Sequence, residues 1–232
     1  MKRVSAIICA FNEESTIENV IKIVADSNLF NEIIVVNDGS IDATGKIINE
    51  LKKDFHITDI HLSENKGKGY AMALGVEKSS SELIVFCDAD LSDIRGEHFL
   101  QLTNPIIKNE ADMVLGQATE TLINYKINPF KSLTGERALL KKDILPILGD
   151  MKTSKFGVET LINLYYQSLG KRVKYVMLID LKHPTKFNKT NQSQAIKEFV
   201  LEGHQIALTA FNNFNLIIKI LKNKLRACLK FC

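Results

Sequence analysis

Apolar residues along the chain fall into short β-branched runs separated by stretches with a three- and four-residue apolar repeat. The runs Val4–Cys9, Ile33–Val36, Ile60–Leu62, Leu83–Cys87, Met113–Leu115 and Val173–Ile179 predict strands. Helical patterning covers Ser15–Ala25 and Ala43–Phe55, with Ser15 or Asp42 placed as N-caps, and returns over Glu136–Leu148 and Val158–Leu169. The strands are apolar throughout instead of at every second residue, as strands buried on both faces are. The expected fold is therefore α/β: a Rossmann-like, mostly parallel sheet flanked by helices. Periodicity fades over Ala118–Thr134, which predicts a loop region over the sheet edge. From Gln192 onward Ile196, Phe199, Val200, Ile206, Phe211, Phe214, Ile218, Leu221 and Leu225 repeat at helical steps. This divides the chain into a body, 1–190, and a C-terminal amphipathic helical extension, 191–232.

In open parallel sheets, ligands bind beyond the carboxyl ends of the strands. The residues leaving the strands here are Asn12-Glu13-Glu14, Asn37-Asp38-Gly39-Ser40, Glu64-Asn65-Lys66-Gly67-Lys68-Gly69 and Asp88-Ala89-Asp90, and all should meet at one edge. Asp88 and Asp90 leave a strand with one residue between them. Such oxygens suit a hard divalent cation, Mg²⁺ or Mn²⁺, that is shared with substrate phosphates. Asp38 sits in a tight turn, where a carboxylate can accept a ring N–H of uracil or guanine while Gly39 permits close backbone approach. Lys66 and Lys68 stand at a helix start, where amides and ammonium groups together favour an anion. The spacing is not that of a Walker loop.

Charge and composition narrow the classes. Hydrophobic residues make up 45% and charged residues 25% of 232 positions, an ordinary globular balance. A formal charge of +3 supplies no broad basic stripe, so no nucleic-acid partner is expected. The four cysteines lack metal-ligand spacing, and no apolar stretch reaches the length of a membrane span. Without a charged-then-apolar leader, the expected compartment is the cytoplasm. In the extension, Lys219, Lys222, Lys224, Arg226 and Lys230 are unopposed, since no acidic residue follows Glu202. A helix of that kind can pack on the core, form a homodimer contact, or lie peripherally on an anionic membrane.

Cys9-Ala10-Phe11-Asn12-Glu13-Glu14, Asn37-Asp38-Gly39-Ser40, Asn65-Lys66-Gly67-Lys68-Gly69 and Asp88-Ala89-Asp90 resemble, in order and spacing, the successive signatures of family-2-type glycosyltransferases. The likeness runs over about residues 4 to 190. Asn37 stands where the family often has Asp, and Cys9 where Pro is common. The resemblance implies a GT-A fold and a nucleoside diphosphate sugar donor, UDP- or GDP-linked. Donor contacts would come from Ala10, Asn12, Glu14, Asp38, Lys66, Lys68, Asp88 and Ala89, with metal ligation by Asp90. The second half, in Leu133-Thr134-Gly135-Glu136-Arg137-Ala138, Phe156-Gly157-Val158-Glu159 and Asp180-Leu181-Lys182-His183, is similar to glucosyl-3-phosphoglycerate synthase-like enzymes. It implies that the stretch from Thr134 through Gly135 to Arg137 faces a small phosphorylated or carboxylated acceptor, that Glu159 is catalytic beside Asp90, and that His183 completes the metal shell. The polyprenyl-phosphate sugar synthases share the first four signatures, which keeps a lipid-phosphate acceptor open. From another class, a nucleotidyltransferase or a silent nucleotide-binding module remains. The former usually carries an N-terminal Gly-rich basic loop that Ala6–Glu14 lacks.

Overall fold

The computed structural model describes residues 2–91, 93–120, 135–182 and 203–229. Four βα units come first: β1 (Val4–Ala10), α1 (Ile17–Asp26), β2 (Glu32–Asn37), α2 (Thr44–Leu51), β3 (Thr58–His61), α3 (Lys68–Lys78), β4 (Leu83–Asp88) and α4 (Gly96–Ile107). β5 (Met113–Glu120) and β6 (Arg137–Leu140) follow. A broken helical stretch then runs through α5 (Lys141–Ile144), α6 (Leu148–Ser154) and α7 (Val158–Ser168), and β7 (Val173–Lys182) closes the sheet. Two helices end the described chain, α8 over 203–212 and α9 (Phe214–Leu229).

The seven strands lie in the order β3-β2-β1-β4-β6-β5-β7. β1 pairs in parallel with β2 and β4, β2 with β3, and β5 with β7, whereas β6 runs antiparallel between β4 and β5. The mostly parallel sheet expected from the apolar strands is present, with one antiparallel strand inside it. β6 corrects the first part of the helix expected over Glu136–Leu148, whose remainder, from Lys141 onward, is helical as expected. Ala138 and the two leucines after it favour a helix locally, but here they pair with Val85, Ile84 and Leu83 on one side and, through Leu139 and Ala138, with β5 on the other. The strands β4 and β5 would otherwise leave buried ladder groups unpaired, and that demand outweighs local preference. β5 also continues to Glu120, so Ala118–Glu120 is strand where a loop was expected, and the rest of that expected loop, 121–134, lies outside the described residues.

Side chains from the two faces of the sheet build two cores. Ile8, Val35 and Val85 meet Val20, Val24, Phe99 and Leu102 on one face, and Ile7, Ile34 and Ile84 meet Met72, Leu161 and Tyr166 on the other. Burial on both faces is why the strands carry no polar alternation. On the second face α9 packs on α7: Ile220 is buried, Leu216 joins the core, and the Asn223 amide donates to the Ser168 carbonyl at 3.0 Å.

The carboxyl edge is drawn together by Gly39, which has φ +71° and whose hypothetical Cβ would lie 2.3 Å from the Glu64 carbonyl carbon. Only a residue without a side chain lets the β2–α2 and β3–α3 loops touch. Gly39→Ala is expected to cost at least about 1 kcal/mol of stability, since both the backbone angle and the contact oppose it. A urea titration should show a lower midpoint with unchanged slope.

Candidate active site

The first three loops are laced by hydrogen bonds. The Asp38 amide donates to the Ala10 carbonyl at 2.8 Å. Asn12, at φ 55°, donates its amide to the Ser40 hydroxyl and accepts from the Ile41 amide at 2.9 Å. The Glu14 carboxylate accepts the Ala43 amide at 2.8 Å, while the Glu14 amide donates to Asp42 at 3.2 Å. Asp42 also accepts the Thr44 amide, but it lies one residue ahead of the cap: α2 begins at Thr44 and its cap residue is Ala43, not the expected Asp42. At the start of α1, Thr16 and not Ser15 is the cap residue, and its hydroxyl turns back to Glu13.

Asp38 is buried, and each of its carboxylate oxygens accepts one backbone amide, from Lys66 and from Gly67, at 2.8 Å. Burial pushes its pKa up, with the two amides and the Lys66 charge opposing. The residue expected to read a base thus also shapes the loop that carries the lysines. Gly67, at φ +96°, then turns the chain into α3.

Lys68, in the first turn of α3, points its ammonium between two carboxylates: Asp88 at 2.8 Å, where β4 ends, and Glu159 at 2.7 Å, in the first turn of α7. Burial works against the ammonium, but Asp88 and Glu159 outweigh it and hold its pKa well above the usual value. Asp88 is pushed up to about 7, by burial first; Lys68 opposes this, and Glu136, Asp90 and Glu159 add to it. Gly135 lies against the same carboxylate, since a Cβ there would fall 1.9 Å from an Asp88 oxygen.

Arg137, expected to face an acceptor, is fully buried on β6. Its guanidinium reaches the Glu159 carbonyl at 3.5 Å and Asn163 Oδ1 at 3.4 Å, and burial lowers its pKa against the pull of Glu159, Asp88 and Glu136. The antiparallel strand that replaced the expected helix puts it under the site. Ala89 is buried and Asp90 half-buried in the turn after β4, with Asp90 close enough to raise Asp88. Lys66 stays on the surface and pairs with Glu64. Thr134 and His183 lie outside the described residues.

The site therefore gathers Asp88, Asp90, Glu136 and Glu159 around Lys68 and Arg137, a formal surplus of two negative charges when all are ionised. Carboxylates on a strand end with such a surplus fit a divalent cation. Among the described residues no three His, Cys, Asp or Glu side chains already form a shell for one. Glu136, inside the stretch expected to face an acceptor, is buried beside Asp88, whereas Asn163, which Arg137 reaches, was not among the expected site residues. Position alone distinguishes Asn163, because nothing in its local pattern separates it from ordinary helix residues.

The family model described as glycosyl transferase family 2 matches residues 5–176. The poly-beta-1,6-N-acetyl-D-glucosamine synthase of Staphylococcus aureus (strain COL) is 31% identical over 199 residues, covering 75% of this chain and 48% of that protein. The synthase of the same name from Staphylococcus epidermidis is 34% identical over 88 residues, 38% of this chain and 21% of its own. The chain spans about half the length, or less, of these relatives. Among solved structures, glucosyl-3-phosphoglycerate synthase from Mycobacterium tuberculosis with Mn²⁺, UDP-glucose and phosphoglyceric acid superposes with a TM-score of 0.72 at 20% identity, covering 91% of this chain and 79% of that one. The same enzyme with Mg²⁺ and UDP gives 0.70 at 22% identity over 91% and 79%. The shared architecture is the GT-A-like fold.

Removing the Lys68 charge leaves Asp88 and Glu159 facing each other. Lys68→Met is expected to cost about 2 kcal/mol, less than a fully buried broken pair because these side chains keep some solvent contact. Lys68 opposes the rise of the Asp88 carboxyl to about 7, so without it the carboxyl titrates higher still, takes up a proton as pH falls, and the repulsion eases. Denaturation at pH 8 and pH 6 should show the larger loss at pH 8.

Proposed function

The chain belongs to glycosyl transferase family 2, and from that premise we propose that it is a metal-dependent hexosyltransferase. It moves a sugar from a UDP- or GDP-linked donor to a small phosphorylated or carboxylated acceptor. The observation that carries this reading is the convergence of Asp88, Lys68 and Glu159 at the carboxyl edge of the sheet, where the loops of β1, β2 and β3 are already joined.

The donor base lies against the Ala10–Glu14 and Asp38 loops, using the lone pairs of Asp38 that the loop amides leave. The diphosphate lies toward Ala89, Asp90 and the start of α3, where Lys66, Lys68 and the helix amides favour an anion. Asp90, with His183 as the ligand implied by resemblance, would hold a divalent ion, which would supply neutralisation of the departing diphosphate. Glu159, paired with Lys68, accepts the proton of the acceptor hydroxyl in an inverting transfer; in a retaining one it orients the acceptor. Arg137 holds the backbone of Glu159 from beneath, and Gly135 gives Asp88 its room. An acidic acceptor is supported by the phosphoglyceric acid bound in the structural neighbour, and a UDP donor by its UDP-glucose.

A thermal-shift screen of UDP-, GDP-, ADP- and dTDP-sugars with Mn²⁺ or Mg²⁺ should give a metal-dependent rise with one nucleotide, lost in Asp90→Ala. No rise with any nucleotide sugar would remove the donor assignment. In turnover assays Asp90→Ala should abolish transfer. Glu159→Gln should lower kcat by roughly 100-fold or more while donor affinity changes little. Offering phosphoglycerate, glycerol 3-phosphate and a β-1,6-linked N-acetylglucosamine oligosaccharide side by side tests the acceptor. Sugar added to the oligosaccharide alone would replace the small acid.

A further inference from the structure

α8 and α9 are two-faced. Toward the protein, Leu216, Ile220 and Asn223 meet α7, while Thr209 and Gln205 meet the backbone at Phe156 and Gly157, one turn before Glu159. Toward solvent lie Phe211, Phe214, Ile218, Leu221 and Leu225, exposed by 77%, 57%, 39%, 55% and 63%. On a helix of 3.6 residues per turn, the four of these on α9 fall within about 60° of one another, on the side opposite Ile220 and Asn223. Lys224 flanks that stripe on one side and Lys222 on the other, with Lys219 and Arg226 beyond Lys222; all four are exposed. No acidic residue occurs in either helix.

A contiguous apolar stripe facing water is a contact surface of some kind. We propose that α8 and α9 form an in-plane docking surface for an anionic lipid membrane. The occupant follows from charge and shape together. Long cationic side chains on both flanks of an outward apolar ridge can lay their stems along the acyl boundary and their heads among lipid phosphates. A second copy of this chain would instead bring the same unopposed cations against one another. No helix of the described residues is long and apolar enough to cross a membrane, so the contact is peripheral. Because α9 packs along α7 and α8 meets the backbone at Phe156 and Gly157 just ahead of Glu159, docking sets the helix that carries Glu159 close to the lipid surface.

The test is sedimentation of the full chain with vesicles of phosphatidylcholine alone and of phosphatidylcholine and phosphatidylglycerol in equal parts, read without donor or acceptor so that it is independent of transfer. The chain should pellet with the anionic vesicles and release as salt rises. The triple change Phe214→Ser, Leu221→Ser and Leu225→Ser should weaken binding by about tenfold or more at an unchanged melting temperature, since these side chains are exposed. Lys222→Gln, Lys224→Gln and Arg226→Gln together should abolish the preference for anionic lipid. Failure to pellet with anionic vesicles would overturn the proposal, as would binding that both variants leave intact. A concentration-dependent dimer that the serine variant dissolves, with no vesicle binding, would assign the stripe to a second copy and overturn it equally.

Discussion

One ammonium group joins the two halves of this fold. Lys68 leaves the third loop, meets Asp88 at the end of the fourth strand, and reaches across to Glu159 at the start of α7. A lysine in this half-buried position is costly to desolvate, and it is retained because two carboxylates surround it. Its own placement depends on Asp38, which clamps the amides of Lys66 and Gly67. Asp38 in turn is tied to β1 through the Ala10 carbonyl. The chain of contacts from β1 to α7 thus passes through four side chains and loop amides, with little slack along it.

The antiparallel β6 gives that arrangement its electrostatic character. Inserted between β4 and β5, it carries Arg137 into the floor and sets Gly135 and Glu136 beside Asp88. Carboxylates then outnumber cations in a region partly removed from water. That is unfavourable for the isolated protein and favourable for one that binds a divalent ion with an anionic ligand, the usual tension between stability and a charged site. The raised pKa of Asp88 expresses the same tension.

The C-terminal helices add a second polarity. Their inner face continues the core of α7, while their outer face is apolar along its crest and basic along its flanks. Both surfaces belong to the same few turns of helix, so anything that settles on the outer face bears on the helix that presents Glu159.

The alternating runs and the polar clusters that follow β1 to β4 were enough to place Asn12, Asp38, Lys68 and Asp88 at one edge. Parallel strands buried on both faces leave their carboxyl ends together, and this follows from a repeating local pattern. The same pattern misread Arg137–Leu140 as helix, because Ala and Leu prefer helices locally and only the unpaired ladders of β4 and β5 make them a strand. The strand buries Arg137 and brings Glu136 beside Asp88, which local pattern could not foretell. The partners of Lys68, separated from it by 20 and 91 residues, likewise depend on how α7 packs. Helical spacing foretold an amphipathic tail, yet which of its faces would meet the core was decided by α7. Periodicity reports what each segment can bury; only packing between distant segments determines which charges meet.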